Sequence, residues 1–315
     1  MTMTEDRRPT LAVVSGGAPD APSAPSATPS GAAAKVNGDD ALPDSAGAPL
    51  VMDERVDPWR VASWHTSLGR TDAEPAPGDP LPPMWHFLFF PEVQRPEGLG
   101  VDGHPRPGGF LPDTGLPRRM RAGGRMEFLA PLPIGAEARR VSVIQNVAIK
   151  QGGSGSLAIV TVRHEISGPD GVAMREEEDL VYRAAASPDD KPRPKAPAKD
   201  ETPTFSRDFT ADPVLLFRYS ALTFNGHRIH YDLPYATQEE GYPERVVHGP
   251  LMAQLLADLL RDETGKWPSQ FDYRAVSPIF CGQTFRLCGR TFGDRAELWV
   301  LNPDGGLALE AKAKL

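Results

Sequence analysis

His248–Arg261 reads HGPLMAQLLADLLR. Pro250 suits a first helical turn, where a missing N–H costs nothing. Leu251, Met252, Leu255, Leu256, Leu259 and Leu260 recur at i, i+1, i+4, i+5, i+8 and i+9. A stripe that wide suits a helix wrapped by a sheet rather than one lying on it. Past Trp267 the pattern turns to strands: FDYRAVSPIF, QTFRLCGRTFG, RAELWVLN and, after a PDGG turn, LALEAKAKL. Helix first, then an antiparallel meander, is an α+β layout. The same β logic appears upstream in RRVSVIQNVAIKQ (Arg139–Gln151), SLAIVTVRHEISG (Ser156–Gly168) and VAMREEEDLVYR (Val172–Arg183). GGSG and GPDG turns join these three and supply the residues that tolerate positive φ. DPWRVASWHTSLGR (Asp57–Arg70) opens that half as a short helix, with Asp57 as its cap and Pro58 at its first position. WHFLFF (Trp85–Phe90) reads as a buried strand, and Gly108–Gly109 and Gly123–Gly124 as parts of a glycine-rich loop.

Proline divides the chain further. It contributes 34 of 315 residues, about twice the ~5 % of an average sequence. Each proline removes a backbone donor and fixes φ, so a compact core cannot hold so many. Residues 1–50, rich in Ala, Pro, Ser and Gly, bury too little apolar surface to offset their ordering entropy and are expected to be disordered. Residues 184–204 alternate charge and proline as a linker. Two folded segments remain, 51–183 and 205–315. Thirteen prolines crowd Pro75–Pro133 inside the first. The net charge of −8 argues against a nucleic-acid binder with a broad basic face. No stretch approaches the ~20 apolar residues that span a bilayer. The first residues, MTMTEDRR, lack the apolar core of a secretory signal, so a cytoplasmic location is expected. Cys281 and Cys288 cannot build a disulfide framework and read as packed strand residues. No Cys/His spacing suggests a metal, and no glycine-rich strand–helix turn suggests a dinucleotide.

Chemistry-bearing side chains concentrate in RYSALTFNGHRIHYD (Arg218–Asp232), where Asn225, His227, Arg228 and His230 fall together, followed downstream by Val247-His248-Gly249. This run resembles the hydratase signature of MaoC-like enoyl-thioester hydratases and dehydratases: a small or hydroxyl residue, Gly, Asp, any residue, Asn, Pro, an aliphatic and His. Thr223 to His230 fill those positions, and an aliphatic-His-Gly turn opens the helix. The wording SALTFNGHRIHYD, with PLPPMWHF and VTVRHEI in the first half, is most similar to one branch. That branch holds the type-2 hydroxyacyl-thioester dehydratases and the mesaconyl-C4-CoA (3-methylfumaryl-CoA) hydratases. The resemblance covers about residues 57–183 and 205–315.

The resemblance implies a tandem, or double, hotdog: two copies of a helix wrapped by an antiparallel sheet. The N-terminal copy is degenerate and supports the substrate, and the C-terminal copy is catalytic. It implies a hydro-lyase acting across the 2,3 bond of an acyl thioester on CoA or acyl carrier protein, with no further cofactor. A single chain is then a monomeric pseudo-dimer, or half of a homodimer. In hydration one group takes a proton from water, one positions that water, and donors stabilise the thioester oxygen. His230 suits the first role, Asn225 the second and the backbone N–H of Gly249 the third, with His227 a further candidate. Most of the wider family has Asp where this chain has Asn225, so acid–base work falls on His230. His248 reads as a cap or packing residue. Arg228 and Tyr219 are candidates to meet a substrate carboxylate or line the pocket, and Arg118, Arg119, Arg121 and Arg125 form a basic knot for a carrier phosphate or a solvated loop. Two other functions use the same fold: a thioesterase with an acid such as Asp258 on the helix, and a non-catalytic acyl-CoA-binding protein.

Overall fold

The computed structural model describes residues 47–152, 155–185, 196–199 and 201–315. The expectations for residues 1–46 and 186–195, and for the centre of the GGSG turn, lie outside the described residues. The first half comprises β1 (Leu50–Arg55), α1 (Pro58–Ser67), β2 (Arg118–Phe128), β3 (Glu137–Gly152), β4 (Gly155–Gly168) and β5 (Gly171–Arg183). The second comprises β6 (Phe205–Thr210), α2 (Pro213–Leu222), α3 (Gly249–Thr264), β7 (Gln270–Ala275), β8 (Thr284–Phe292), β9 (Arg295–Leu301) and β10 (Leu307–Lys314).

All ten strands form one sheet in the order β1-β3-β4-β5-β2-β7-β10-β9-β8-β6. Outward from the centre both halves run alike: β2, β5, β4, β3, β1 on one side and β7, β10, β9, β8, β6 on the other. The seam is the antiparallel pairing of Gly123–Glu127 with Gln270–Arg274. Glycine is required there, because a Cβ on Gly123 would lie 2.4 Å from the Tyr273 carbonyl oxygen.

The halves also repeat a helix start. Asp57-Pro58 and Asp212-Pro213 each follow the half's first strand. Asp57 accepts a bond from the Trp59 N–H at 3.0 Å, and Asp212 from the Leu215 N–H at 2.7 Å. The helices they open, α1 and α2, pack on each other, with the Trp64 and Tyr219 rings 5.0 Å apart. The second half alone then adds α3. Its residues Leu251 to Leu260 are all buried, and it ends at Gly265 in the left-handed region (φ 72°), whose N–H bonds the Arg261 carbonyl. Apolar residues from β7–β10, among them Phe271, Phe285, Leu298 and Leu309, enclose it in the main core. Its polar residues meet the first half: Asp258 accepts from the Trp85 indole at 3.4 Å, and Gln254, with its amide oxygen turned inward, accepts from the indoles of Trp64 and Trp85. No described helix is long and apolar enough to cross a membrane.

Between α1 and β2 the first half has no counterpart of α3 among the described residues. It has two 3₁₀ turns, Trp85–Leu88 and Pro96–Gly98, on an extended excursion. Five expectations change here. WHFLFF is not a strand: Met84 and Phe90 take positive φ and bracket the first of those turns. Gly123–Gly124 and the arginines around them form β2, the seam strand, rather than a loop. Order begins inside the expected tail, since Leu50 opens β1, and part of the linker is docked, with the Leu307 N–H bonding the Pro197 carbonyl. Cys288 is buried in β8 as expected, but Cys281 lies in a turn.

The shared Asp-Pro start gives a stability test. Asp212→Ala removes one cap bond without touching the core, and is expected to cost about 1 kcal/mol of unfolding free energy in urea titration.

Candidate active site

The apolar outside of α2 ends in a strained corner. The Phe224 N–H bonds the Ala221 carbonyl and the Asn225 N–H bonds the Ser220 carbonyl at 2.8 Å. This closure needs a left-handed residue, here Phe224 with φ 52°, where glycine is usual. The corner turns Asn225 towards a cavity of about 1830 Å³ that also receives His227, His230, Gly249, Tyr219 and His104. Asn225 spends its side-chain oxygen on the loop, accepting from the His227 N–H at 3.0 Å.

His230 is buried, and its Nδ1–H donates to the Val246 carbonyl at 2.7 Å. A carbonyl can only accept, so this bond fixes the tautomer and leaves Nε2 as a lone pair. Burial pushes His230 down to about 4, with the Val246 bond working weakly the other way. Its ring stacks on His248 at 3.6 Å and meets His227 edge-on at 5.4 Å. His248 is fully buried, exchanges a bond with the Ser220 hydroxyl at 2.9 Å, and makes no side-chain cap for α3. Burial holds His227 and His248 well below the ordinary histidine range, so both are neutral at pH 7. Gly249 is the first residue of α3 and lines the cavity. Its amide is one of those a helix leaves without an internal acceptor, where developing negative charge is favoured.

Sequence reasoning missed the first half's share of this site. The loop at Val101–His104 is clamped to the Gly226–Arg228 loop: the Arg228 N–H donates to the Asp102 carbonyl, and the Arg228 guanidinium to the Val101 carbonyl, both at 2.9 Å. A Cβ on Gly103 would lie 2.0 Å from the Gly226 oxygen, and one on Gly226 would lie 2.7 Å from the Gly103 oxygen. His104 thereby reaches His227, ring centres 4.2 Å apart. The only local signal was the short Asp-x-His spacing of Asp102 and His104.

The remaining candidates separate. Arg228 is bonded to the Asp232 carboxylate at 2.7 Å, lies over the Tyr235 ring and is half-exposed, so it is not held for a substrate carboxylate. Tyr219 is buried in the cavity wall with its hydroxyl unpaired. Arg118 pairs with Glu240 at 2.6 Å, Arg121 with Glu178 at 2.7 Å and Glu176 at 3.2 Å, and Arg125, on the outer face, with Glu177 and Asp179. Arg119 lines the cavity and has no carboxylate in ion-pair range among the described residues. Asp258 is buried in α3 outside the cavity wall, so the acid a thioesterase reading would use is not presented to it.

With this geometry, residues 84–281 match the family described as hydroxyacyl-thioester dehydratase type 2. A mesaconyl-C(4)-CoA hydratase from Chloroflexus aurantiacus is 47 % identical over 243 residues, covering 76 % of this chain and 86 % of that one. The chain belongs to the type-2 hydroxyacyl-thioester dehydratase family. A mitochondrial member from Schizosaccharomyces pombe is 28 % identical over 70 % of this chain and 80 % of its own. A Mycobacterium tuberculosis protein with a double hotdog fold aligns at TM-score 0.53 and 12 % identity over 84 % of this chain and 94 % of that one. The protein is a hydro-lyase with a MaoC-like double-hotdog fold, and its substrate is an acyl thioester.

Two outcomes follow from the packing. Gly103→Ala drives a methyl group into the Gly226 carbonyl, so turnover should fall at least about tenfold, as a small misplacement of reacting groups does, while circular dichroism stays native. The second concerns pH. His104, His227, His230 and His248 all bind protons more weakly folded than unfolded. Unfolded histidine takes up protons near pH 6.5, so stability should fall as pH drops from there towards 4. Asp258, pushed up to about 7 by burial, runs the opposite way, losing stability as pH rises towards that value. Asp272, also raised by burial, acts with it, so two carboxylates oppose four imidazoles, and urea unfolding across pH 4–8 reads the balance.

Proposed function

We propose that the protein hydrates a short, branched 2-enoyl thioester of CoA that carries a free carboxylate, the chemistry of mesaconyl-C4-CoA, and forms the corresponding 3-hydroxy thioester. Arg119 is the observation that carries this reading. It is a cavity guanidinium beside the histidines, with its neighbouring arginines already paired and itself free of a carboxylate. A dicarboxylic mono-thioester brings a carboxylate that can reach ion-pair contact with it. Asn225 supports the same choice, because a carboxylate there would repel the substrate's own, and an amide does not. The relative from Chloroflexus aurantiacus carries that substrate in its name.

In this mechanism the Nε2 lone pair of His230 takes a proton from water as the oxygen bonds Cβ. The Asn225 amide nitrogen holds that water, since its oxygen is spent on His227. The Gly249 N–H receives the charge that moves onto the thioester oxygen. The intrachain β2–β7 seam supplies the pairing between hotdogs, so a monomer suffices, and the mass in solution by light scattering reads this.

A panel of enoyl-CoA substrates followed by absorbance tests the assignment. His230→Ala should lower kcat by roughly 100- to 10 000-fold, the usual worth of a positioned acid–base group. Asn225→Asp keeps an acceptor for the His227 N–H and should stay within about tenfold of the parent on crotonyl-CoA, while the added charge should raise KM for the dicarboxylic thioester at least about tenfold. Arg119→Ala should raise KM at least about tenfold for the dicarboxylic thioester and leave crotonyl-CoA unaffected, as removal of one charge-assisted contact does. Equal effects on both substrates would assign Arg119 to the carrier instead.

A further inference from the structure

His230 has a defect as the sole acid–base group. Every charge that bears on His227, His230 and His248 disfavours their protonated forms. Position 225, beside these rings, holds an amide, which cannot take up a proton as a carboxylate can. A proton taken from water therefore has no stable place on those three rings.

One imidazole in the row differs. His104 donates its Nδ1–H to Asp102 at 2.8 Å, and the Asp102 side chain also accepts from the His104 N–H at 3.0 Å. Burial would raise Asp102, yet the hydrogen bond from His104 holds it below the usual carboxylate range, so it is ionised. The bond fixes the His104 tautomer and leaves Nε2 as a lone pair on a residue that lines the cavity, the arrangement in which a third group orients a catalytic base. Burial lowers His104, but Asp102 and Glu92 pull it upward, and Arg119 alone among its partners outside the histidine row opposes them. The pair is rigidly placed by the two hydrogen bonds from Arg228 to the Val101 and Asp102 carbonyls and by the Gly103–Gly226 crossing.

We propose that His104, held by Asp102, is the second proton-transfer group of this site and takes the place of the carboxylate that position 225 lacks. The inference rests on the hydro-lyase reading. In hydration, His230 Nε2 takes a proton from water, the O–H bond breaks and the oxygen bonds Cβ. The π pair moves towards the thioester as an enolate. The proton passes across His227, whose ring lies between the other two, to His104, where Asp102 stabilises the imidazolium. It then forms the Cα–H bond as the enolate collapses. No residue ends with a proton gained or lost, and dehydration runs the same steps in reverse. His104 is the catalytic residue of the pair and Asp102 its positioning residue.

Asp102, His104 and His227 also place one nitrogen or oxygen each within 4.8 Å of one another, as ligands of a cation would. The geometry favours proton transfer. The carboxylate is spent on Nδ1, and the two rings overlap at 42° rather than converging on a point.

Kinetics and NMR on the full-length chain test this separately. Asp102→Asn and His104→Gln should each lower kcat at least about 30-fold with KM within about threefold, while Asp102→Glu restores most of it. The acid limb of kcat should move down by about one pH unit in Asp102→Asn, as loss of a neighbouring carboxylate requires. The groups facing the pair are Glu92, Arg119 and His227, with Tyr231 and Tyr235 near Asp102. Histidine-labelled NMR should show His104 protonating first of the four rings as pH falls, and losing that lead in Asp102→Asn. Unchanged kcat in Asp102→Asn, or His104 titrating with the others, overturns the proposal. So does Zn²⁺ binding in calorimetry that His227→Ala abolishes, which would make the three groups a cation site. A parent protein inactive on every thioester overturns the hydratase reading itself, and the NMR order still decides whether the pair exists.

Discussion

A helix buried on every side has to be enclosed, and α3 is the one such helix among the described residues. Ten consecutive residues from Leu251 to Leu260 are buried. A flat sheet covers one face of a helix, so the strands must curl around it, and ten strands joined at β2–β7 supply the length to do so. The same sheet is built for two helices, since its halves run in matching order outward from the seam. Only one is present. The concave face of the first half is closed instead by the excursion from Met84 to Leu116, whose Phe110, Leu111 and Leu116 cover a small apolar cluster on β4 and β5. What remains open is the cavity.

Charge fills the part of that face which apolar residues do not. Arg121 reaches Glu176 and Glu178, His86 stands 3.3 Å from Glu176, and His164 lies between Ser142 and Glu178 at 2.7 and 3.1 Å. Burial alone would keep both glutamates protonated, but Arg121 outweighs it and holds Glu178 near 2 and Glu176 lower still. Such a cluster adds little net stability over an apolar one, while loss of a single member strands a buried charge. Its place beneath the substrate cavity, rather than its energy, distinguishes it from the packed second half.

Legibility in the sequence followed how local each signal was. The helix α3, the three long strands of the first half and the later meander carried their own periodicity, and all were found. The strand β2 was hidden because RRMRAGGRMEF, with four arginines and a glycine pair, shows no clear apolar–polar alternation. Arg118, Arg119 and Arg121 line the cavity, and Arg121 and Arg125 meet acidic partners on β5, which no local pattern reports. WHFLFF failed for a related reason: its aromatic run is buried on all sides, and a buried run does not reveal its period. In the site, the residues of one loop were legible through their spacing. His104 was not, because its meeting with His227 depends on two loops crossing from opposite halves.

That crossing explains why a degenerate hotdog is retained. Without a central helix the first half offers no second hydratase motif, yet its loop passes close enough that neither Gly103 nor Gly226 has room for a side chain. Contact at that distance fixes His104 against His227 more firmly than side-chain packing could, because two carbonyls, the Arg228 N–H and the Arg228 guanidinium set it. The second half can therefore carry an amide at position 225, where it spends its oxygen shaping the loop, and leave the ionised carboxylate to Asp102. Burial keeps the four rings neutral, and His230 and His104, whose tautomers are fixed, are ready to accept protons but poor at keeping them. A single carboxylate at the far end of the row gives the transferred proton a direction, and the first half is the element that places it there.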